Sequence, residues 1–157
     1  MNGNVYISDY DNDRIQVISA SGEFVRNWGS KGSGNGDFDC PFGIAVNQTD
    51  FVYVSDSLNS RIQVFSSDGV FITKWGSFGS NPGQFKNPRG IAIDDSTGNL
   101  FVADLTNARI QVFSPLGNFL YNFSCPSPND VAIASNGNIY VLSNSDQIFV
   151  YNSSGVE

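Results

Sequence analysis

The stretch "DYDNDRIQVISASGEFVRNWG" from Asp9 returns as "DSLNSRIQVFSSDGVFITKWG" from Asp56 and as "DLTNARIQVFSPLGNFLYNFS" from Asp104. The three copies start 47 and 48 residues apart, and Gly22, Gly69 and Gly117 keep that interval, as do Trp28, Trp75 and Phe123. A second block, "GDFDCPFGIAV" from Gly36, reappears as "GQFKNPRGIAI" from Gly83 and in decayed form as "SPNDVAI" from Ser127. A degenerate last copy, "NGNIYVLSNSDQIFVYNSSG", begins at Asn136. Self-similarity at one period means one supersecondary unit written several times, each burying its apolar face against the next.

Each period holds four short apolar segments bounded by turn residues. In the clearest copy they are Gly43–Asn47, Phe51–Ser55, Arg61–Phe65 and Val70–Trp75, here called strands a, b, c and d. Strands a and b are almost continuously apolar, which suits strands covered on both faces. The turns "SASG", "SSDG" and "SPLG" between c and d place a glycine where a tight hairpin needs positive φ. Thirteen Phe, six Tyr and only 15% charged residues argue against disorder. Four antiparallel strands in 40 to 48 residues is the arithmetic of a β-propeller blade. A β-sandwich is the competing all-β architecture, but it does not require this self-similarity.

The pattern Pro-x-Gly-Ile-Ala-Val/Ile, then Asp-x-x-Asn-x-Arg-Ile-Gln-Val-Phe, then Gly, Phe and Trp-Gly resembles the NHL repeat over almost the whole chain. The resemblance implies a six-bladed propeller, as in tripartite-motif/NHL proteins and bacterial sensor propellers. The expected organisation is a partial blade at 1–35, full blades at 36–82 and 83–124, and a partial degenerate blade at 125–157. That makes fourteen strands, about three and a half blades, and thus a fragment of a ring. The first copy lacks strand a and the last lacks strand d. Two blade faces are therefore expected to stay open, needing the remaining blades of a parent chain or a second copy.

The triplicated polar set, Asp9/Asn12/Arg14, Asp56/Asn59/Arg61 and Asp104/Asn107/Arg109, sits between strands b and c. Its expected role is structural: an Asp–Arg pair fastens the loop in every blade, with Asn at a turn position tolerant of left-handed backbone. The b–c loops emerge on the same side as the long glycine-rich d–a loops, "GSKGSGNGDFDCP" and "GSFGSNPGQFKNP". Residues that vary where the repeat is otherwise fixed are the candidate ligand surface on that side. They are Tyr10, Leu58 and Leu105 in the b–c loops, and Phe42, Arg89 and Asn129 beside the Pro-x-Gly turn. Apolar and aromatic side chains with one Arg suit contact with a protein or peptide.

Catalytic and metal constellations are not visible in this sequence. With no histidine, Ser-His-Asp triads, Cys-His pairs and the zinc sites of amidating lyases have no ligands here. The acids of "DYDND" fail the EF-hand pattern, because its sixth and twelfth positions hold Arg14 and Ala20. Lactonase-like propellers use a channel calcium held by acids and Asn, and Asn129 and Asp130 supply part of such a set. No metal or cofactor is expected, and the segment is read as non-enzymatic. Eight Lys and Arg against fifteen Asp and Glu disfavour nucleic acid. Arg26, Lys31, Lys74, Lys86 and Arg89 are the cations left for an RNA-binding alternative of the tripartite-motif type. Cys40 and Cys125, each followed by proline, are expected as free thiols. Neither a membrane span nor a secretory leader is legible, leaving the compartment open with a slight lean towards the cytoplasm.

Overall fold

The computed structural model describes residues 3–156. Their strands are β1 (Val5–Asp9), β2 (Arg14–Ile18), β3 (Phe24–Trp28), β4 (Pro41–Val46), β5 (Val52–Asp56), β6 (Arg61–Phe65), β7 (Phe71–Trp75), β8 (Pro88–Ile93), β9 (Leu100–Asp104), β10 (Arg109–Phe113), β11 (Phe119–Ser124), β12 (Pro128–Ile133), β13 (Ile139–Ser143) and β14 (Ile148–Tyr151). They form four antiparallel meanders: β1-β2-β3, β4-β5-β6-β7, β8-β9-β10-β11 and β12-β13-β14. Strand a therefore starts about two residues earlier than its apolar run, because the proline of Pro-x-Gly already pairs, as Pro41 with Asp56 and Pro88 with Asp104. Each a–b pair carries a register break just after that proline.

The period-2 alternation of strand side chains divides each sheet between two cores. Val52 and Val54 of β5 join Ile15, Phe38 and Phe65 between the first two sheets, while Tyr53 looks the other way, into the core with Leu100, Val102 and Phe113. All five residues of β5 and of β6 are buried, as the continuous apolar runs require. The aromatic contacts, both across and within sheets, repeat with the sequence. Trp28–Phe65, Phe38–Phe65 and Phe65–Phe71 lie at 5.6, 5.6 and 6.0 Å, and Trp75–Phe113, Phe85–Phe113 and Phe113–Phe119 at 5.8, 5.6 and 6.0 Å.

Two glycines of the repeat exist because of neighbouring sheets. A Cβ on Gly43 would stand 2.8 Å from the backbone N of Ile91, and one on Gly90 would stand 2.6 Å from Cα of Asp130. Successive a strands thus touch backbone to backbone, and only glycine admits that approach. The c–d hairpin glycines Gly69 and Gly117 are constrained twice. Gly69 has φ +84°, and a Cβ there would lie 2.7 Å from Cδ2 of Trp28 in the previous sheet. The recurrence of Gly with Trp in the sequence is this contact.

The terminal sheets present the faces that inner sheets cover. Val5 and Ile7 are 49% and 39% exposed, whereas Val52 and Val54, at the same places in β5, are 0%. At the other end Tyr140, Leu142, Ile148 and Val150 are exposed, while their counterparts Phe101, Ala103, Ile110 and Val112 are buried. The surface left open is therefore of the kind that packs against another blade.

Two local expectations are corrected. The left-handed residue of the b–c turn is not Asn but the one after it: Asp13, Ser60 and Ala108 have φ of 52°, 54° and 50°. Asn12 and Asn107 instead close the 3-10 turn that precedes it, and in the second and third copies the Asn amide reaches the long loop. The cysteines are also not equivalent. Cys40 is the left-handed residue before Pro41 (φ 56°), matched by Asn87 and Ser127, whereas Cys125 stands at the place of Phe38 and Phe85 and is buried. Neither cysteine is in a disulfide.

Candidate functional site: the loop-bearing face

The repeated Asp, Asn and Arg fasten the long loop that enters the same sheet. In the second sheet Arg61 donates from Nε to Asp56 Oδ2 at 2.7 Å. Its two outer nitrogens donate to the carbonyls of Ser33, Gly34 and Asp37, at 2.7, 2.8 and 2.9 Å. Asn59 Nδ2 bridges the Asp56 carboxylate and the Gly32 carbonyl. The Asp39 N–H donates to Asp56 Oδ1 at 2.8 Å. Loop 29–40 is thus gathered onto a buried ion pair. Loop 76–87 is held by Arg109, Asn107 and Asp104 in the same way, including the Lys86 N–H on Asp104 Oδ1 at 2.8 Å. Burial pushes the Asp56 carboxyl above the ordinary carboxylate value, against the pull of the Asp39 N–H, Arg61 and Asn59.

Sequence reasoning missed a fourth member of this set. Gln63 Nε2 donates to the Asp37 carbonyl (2.7 Å) and to Asp56 (3.1 Å), and its Oε1 accepts the Gly36 N–H (3.0 Å). Gln111 repeats all three contacts. The signal was present as the third letter of Arg-Ile-Gln. In the first copy Arg14, Asn12 and Gln16 all reach Asp9, but among the described residues no loop lies across them, and the pair is more exposed. In the fourth sheet the d–a connection shrinks to residues 125–127, and Ser143 takes the Asp position, its Oγ donating to the Pro126 carbonyl at 2.7 Å.

Four of the six candidate surface residues form one continuous row across all four sheets. Tyr10 meets the Phe42 ring edge-on at 6.0 Å and 90°. The Arg89 guanidinium lies 4.9 Å over the centre of that Phe42 ring. Nη1 of Arg89 donates to Asn129 Oδ1 at 2.6 Å. Phe42, Arg89 and Asn129 share one repeat position, the middle of Pro-x-Gly, so the close approach of the a strands sets their side chains next to one another. The Tyr10 phenol is raised above its usual value, first by its hydrogen bond with Cys40 and next by burial.

The other two candidates are Leu58 and Leu105. Leu58 is one position later in its loop than Tyr10 and Leu105. Ser57 occupies their place, buried, with its Oγ donating to the Pro88 carbonyl at 2.6 Å. Leu58 points outward into a groove shared with Phe78, Lys86 and Thr106, where the Lys86 ammonium sits 5.7 Å over the exposed Phe78 ring. Leu105 is half-buried on the third loop.

The cations left for nucleic acid are dispersed and largely engaged. Arg26 is paired with Asp68 and donates to the Ser67 carbonyl, and Lys31 lies 3.6 Å from Asp39 and 4.0 Å from Asp13.

Residues 1–145 match the family described as the SMP-30/gluconolactonase/LRE-like region. The chain belongs to that family. No curated protein matches it. Among solved structures, the nidogen/laminin complex is similar with a TM-score of 0.76 and 21% identity, covering 99% of this chain and 58% of that one. A catalytically inactive virginiamycin B lyase from Staphylococcus aureus with quinupristin is similar with a TM-score of 0.65 and 16% identity, covering 98% and 54%. At these identities the likeness is one of fold: a six-bladed propeller, of which this chain spans about half the length.

The gluconolactonase-type family description raises the question of a channel calcium at Asn129 and Asp130. Asn129 Oδ1, the oxygen such an ion would use, is occupied by the Arg89 guanidinium, and Asp130 Oδ1 accepts the Val131 N–H. Calcium takes six to eight oxygens and would meet a fixed cation there, so these residues do not fit it. Among the described residues the only cluster of three ligand-type groups is Asp13, Asp39 and Cys40. It mixes a thiol with carboxylates that already hold the Cys40 N–H and Lys31.

Proposed function

We propose that this chain is a segment of a binding propeller, of the NHL type, that recognises a protein or peptide through the face carrying the b–c and d–a loops. The observation that carries this reading is the row Tyr10–Phe42–Arg89–Asn129, built from unrepeated residues of four successive sheets, with the Leu58/Phe78 groove on the same face. A large repeated scaffold beneath a small set of unrepeated aromatic, apolar and Arg side chains is how recognition surfaces are commonly built. The similar propeller in the nidogen/laminin complex is likewise found with a protein. Its open terminal faces take the remaining blades, from a parent chain or a second copy. The test is affinity capture with wild type and with a variant combining Phe42→Ala, Leu58→Ala, Arg89→Gln and Leu105→Ala. Loss of specific partners is expected; an unchanged partner set refutes the reading.

Family membership favours a second reading, a calcium-dependent hydrolase of lactonase type. Thermal shift against calcium separates the two. A rise in Tm at millimolar calcium supports the hydrolase, and its absence, with the Arg89–Asn129 contact in place, counts against it.

A further inference from the structure

We infer that Arg89 is the receptor for a carboxylate, and that the ligand of the Tyr10–Phe42–Arg89–Asn129 row presents one, as an Asp or Glu side chain or as a small carboxylic acid. This deepens the binding-face reading and rests on it.

The chain has five arginines, and four are paired with an aspartate: Arg14 with Asp9, Arg26 with Asp68, Arg61 with Asp56 and Arg109 with Asp104. Among the described residues, no carboxylate lies within ion-pair distance of Arg89. Its Nη1 is committed to Asn129, its flat face to Phe42, and its Nε is buried without an acceptor. The edge formed by Nε and Nη2 is therefore unspent. It is one of the two guanidinium edges that offer parallel donors to both oxygens of a carboxylate. A buried N–H left unmade is costly, and a charged one more so. Asn129 and the ring hold the group in place without neutralising it. Water does not reach Nε. A carboxylate engages through Nη2 and satisfies Nε by a small swing of the guanidinium across the Phe42 ring, a movement a cation–π contact tolerates.

The surroundings select a monoanion. Lys31 is taken up by Asp13 and Asp39. A single cation in a chain of net charge −7 matches one carboxylate rather than a phosphate dianion, which draws on several donors. Phe42 and Tyr10 supply apolar walls for the methylenes that carry it.

The experiment uses the full 157-residue chain, labelled with nitrogen-15, and follows the Arg89 Nε–H resonance. The probes are acetate, acetyl-Gly-Asp-Gly-amide, acetyl-Gly-Asn-Gly-amide and inorganic phosphate. Saturable shifts are expected with acetate and the Asp peptide, and not with the Asn peptide or with phosphate at equal concentration. Saturation by the Asp peptide at about tenfold lower concentration than acetate assigns a peptide source; equal affinity assigns a small acid. In the Arg89→Gln and Arg89→Lys variants, which lack that resonance, the titration is followed on the Asn129 side-chain amide: Arg89→Gln abolishes its carboxylate-dependent shift, and Arg89→Lys, which loses the fork, weakens it. If Arg89→Gln does not fold, Phe42→Leu still weakens the response by removing the ring that orients the guanidinium. The inference is overturned if neither carboxylate moves the resonance, or if the Asn peptide or phosphate moves it as strongly. Partner capture that depends on Leu58 while no carboxylate moves Arg89 would sink this inference and leave the binding face standing.

Discussion

Replacing Arg61 by alanine separates the architecture of the repeat from its surface. The Arg61 side chain is 7% exposed and that of its partner Asp56 0%, whereas the equivalent Arg14 and Asp9 side chains are 37% and 18% exposed. Removing one member of a buried pair strands the other charge away from water, at a cost of about 3–5 kcal/mol. Removing one member of an exposed pair costs about 0–1 kcal/mol. Arg61→Ala also frees the Ser33 and Gly34 carbonyls, while that of Asp37 keeps Gln63 as a donor. Those in the solvent-facing loop are re-solvated and add little. The expected loss is thus about 3–5 kcal/mol for Arg61→Ala and under about 1 kcal/mol for Arg14→Ala, although the two segments read almost alike. Urea unfolding followed by the fluorescence of Trp28 and Trp75 measures both. Adding Asp56→Asn to Arg61→Ala is expected to recover part of the loss, because the stranded charge disappears. Amide exchange should show Gly32, Gly36 and Phe38 losing protection first, since loop 29–40 is what the guanidinium holds. Equal losses for the two Arg variants, or no recovery with Asp56→Asn, would refute the argument that burial and not motif identity sets the energy.

Gly43→Ala and Gly90→Ala force a Cβ into the backbone or an acid of the next a strand, so each is expected to cost at least about 1–3 kcal/mol by urea unfolding, while Gly36→Ala, with open space around it, is limited to its backbone strain. With a thiol-specific chromophore, Cys40 is expected to react in the native state and buried Cys125 only on unfolding. Burial pushes the Asp94 carboxyl up, but hydrogen bonds from Ser96 and Thr97 outweigh it and hold it below the ordinary 3.8. Its stabilising contribution is full above that value and lost as pH falls through the lower folded value, so Asp94→Asn should flatten the acid limb of a Tm-against-pH curve.

The repeat alone determined the strands, their order within each sheet and the hairpin glycines, because period and turn chemistry act over a few residues. It also placed the b–c and d–a loops on one face, which follows from alternating strand direction. Local pattern was not enough for positions whose role is set by a neighbouring sheet. The motif points to Asn59 as the left-handed residue, yet Ser60 carries that backbone and Asn59 spends its amide on loop 29–40. Leu58 was grouped with Tyr10 and Leu105, yet one residue of register puts Ser57 inside and Leu58 out. Gln63 recurs as Gln16 and Gln111, yet its role is not legible, since its loop partners Gly36 and Asp37 lie more than twenty residues upstream.

The candidate residues were legible as the places where the repeat varies, but their meeting was not. Phe42, Arg89 and Asn129 lie 40 or more residues apart, and only the packing of successive a strands through Gly43 and Gly90 brings them into contact. Burial, too, belongs to the tertiary structure: one motif yields an enclosed ion pair at Arg61 and a half-exposed one at Arg14. The sequence carries the blade because a blade is made of local turns and alternating side chains. The site and its energetics arise only where blades touch, since desolvation depends on what covers a charge and not on the letters beside it.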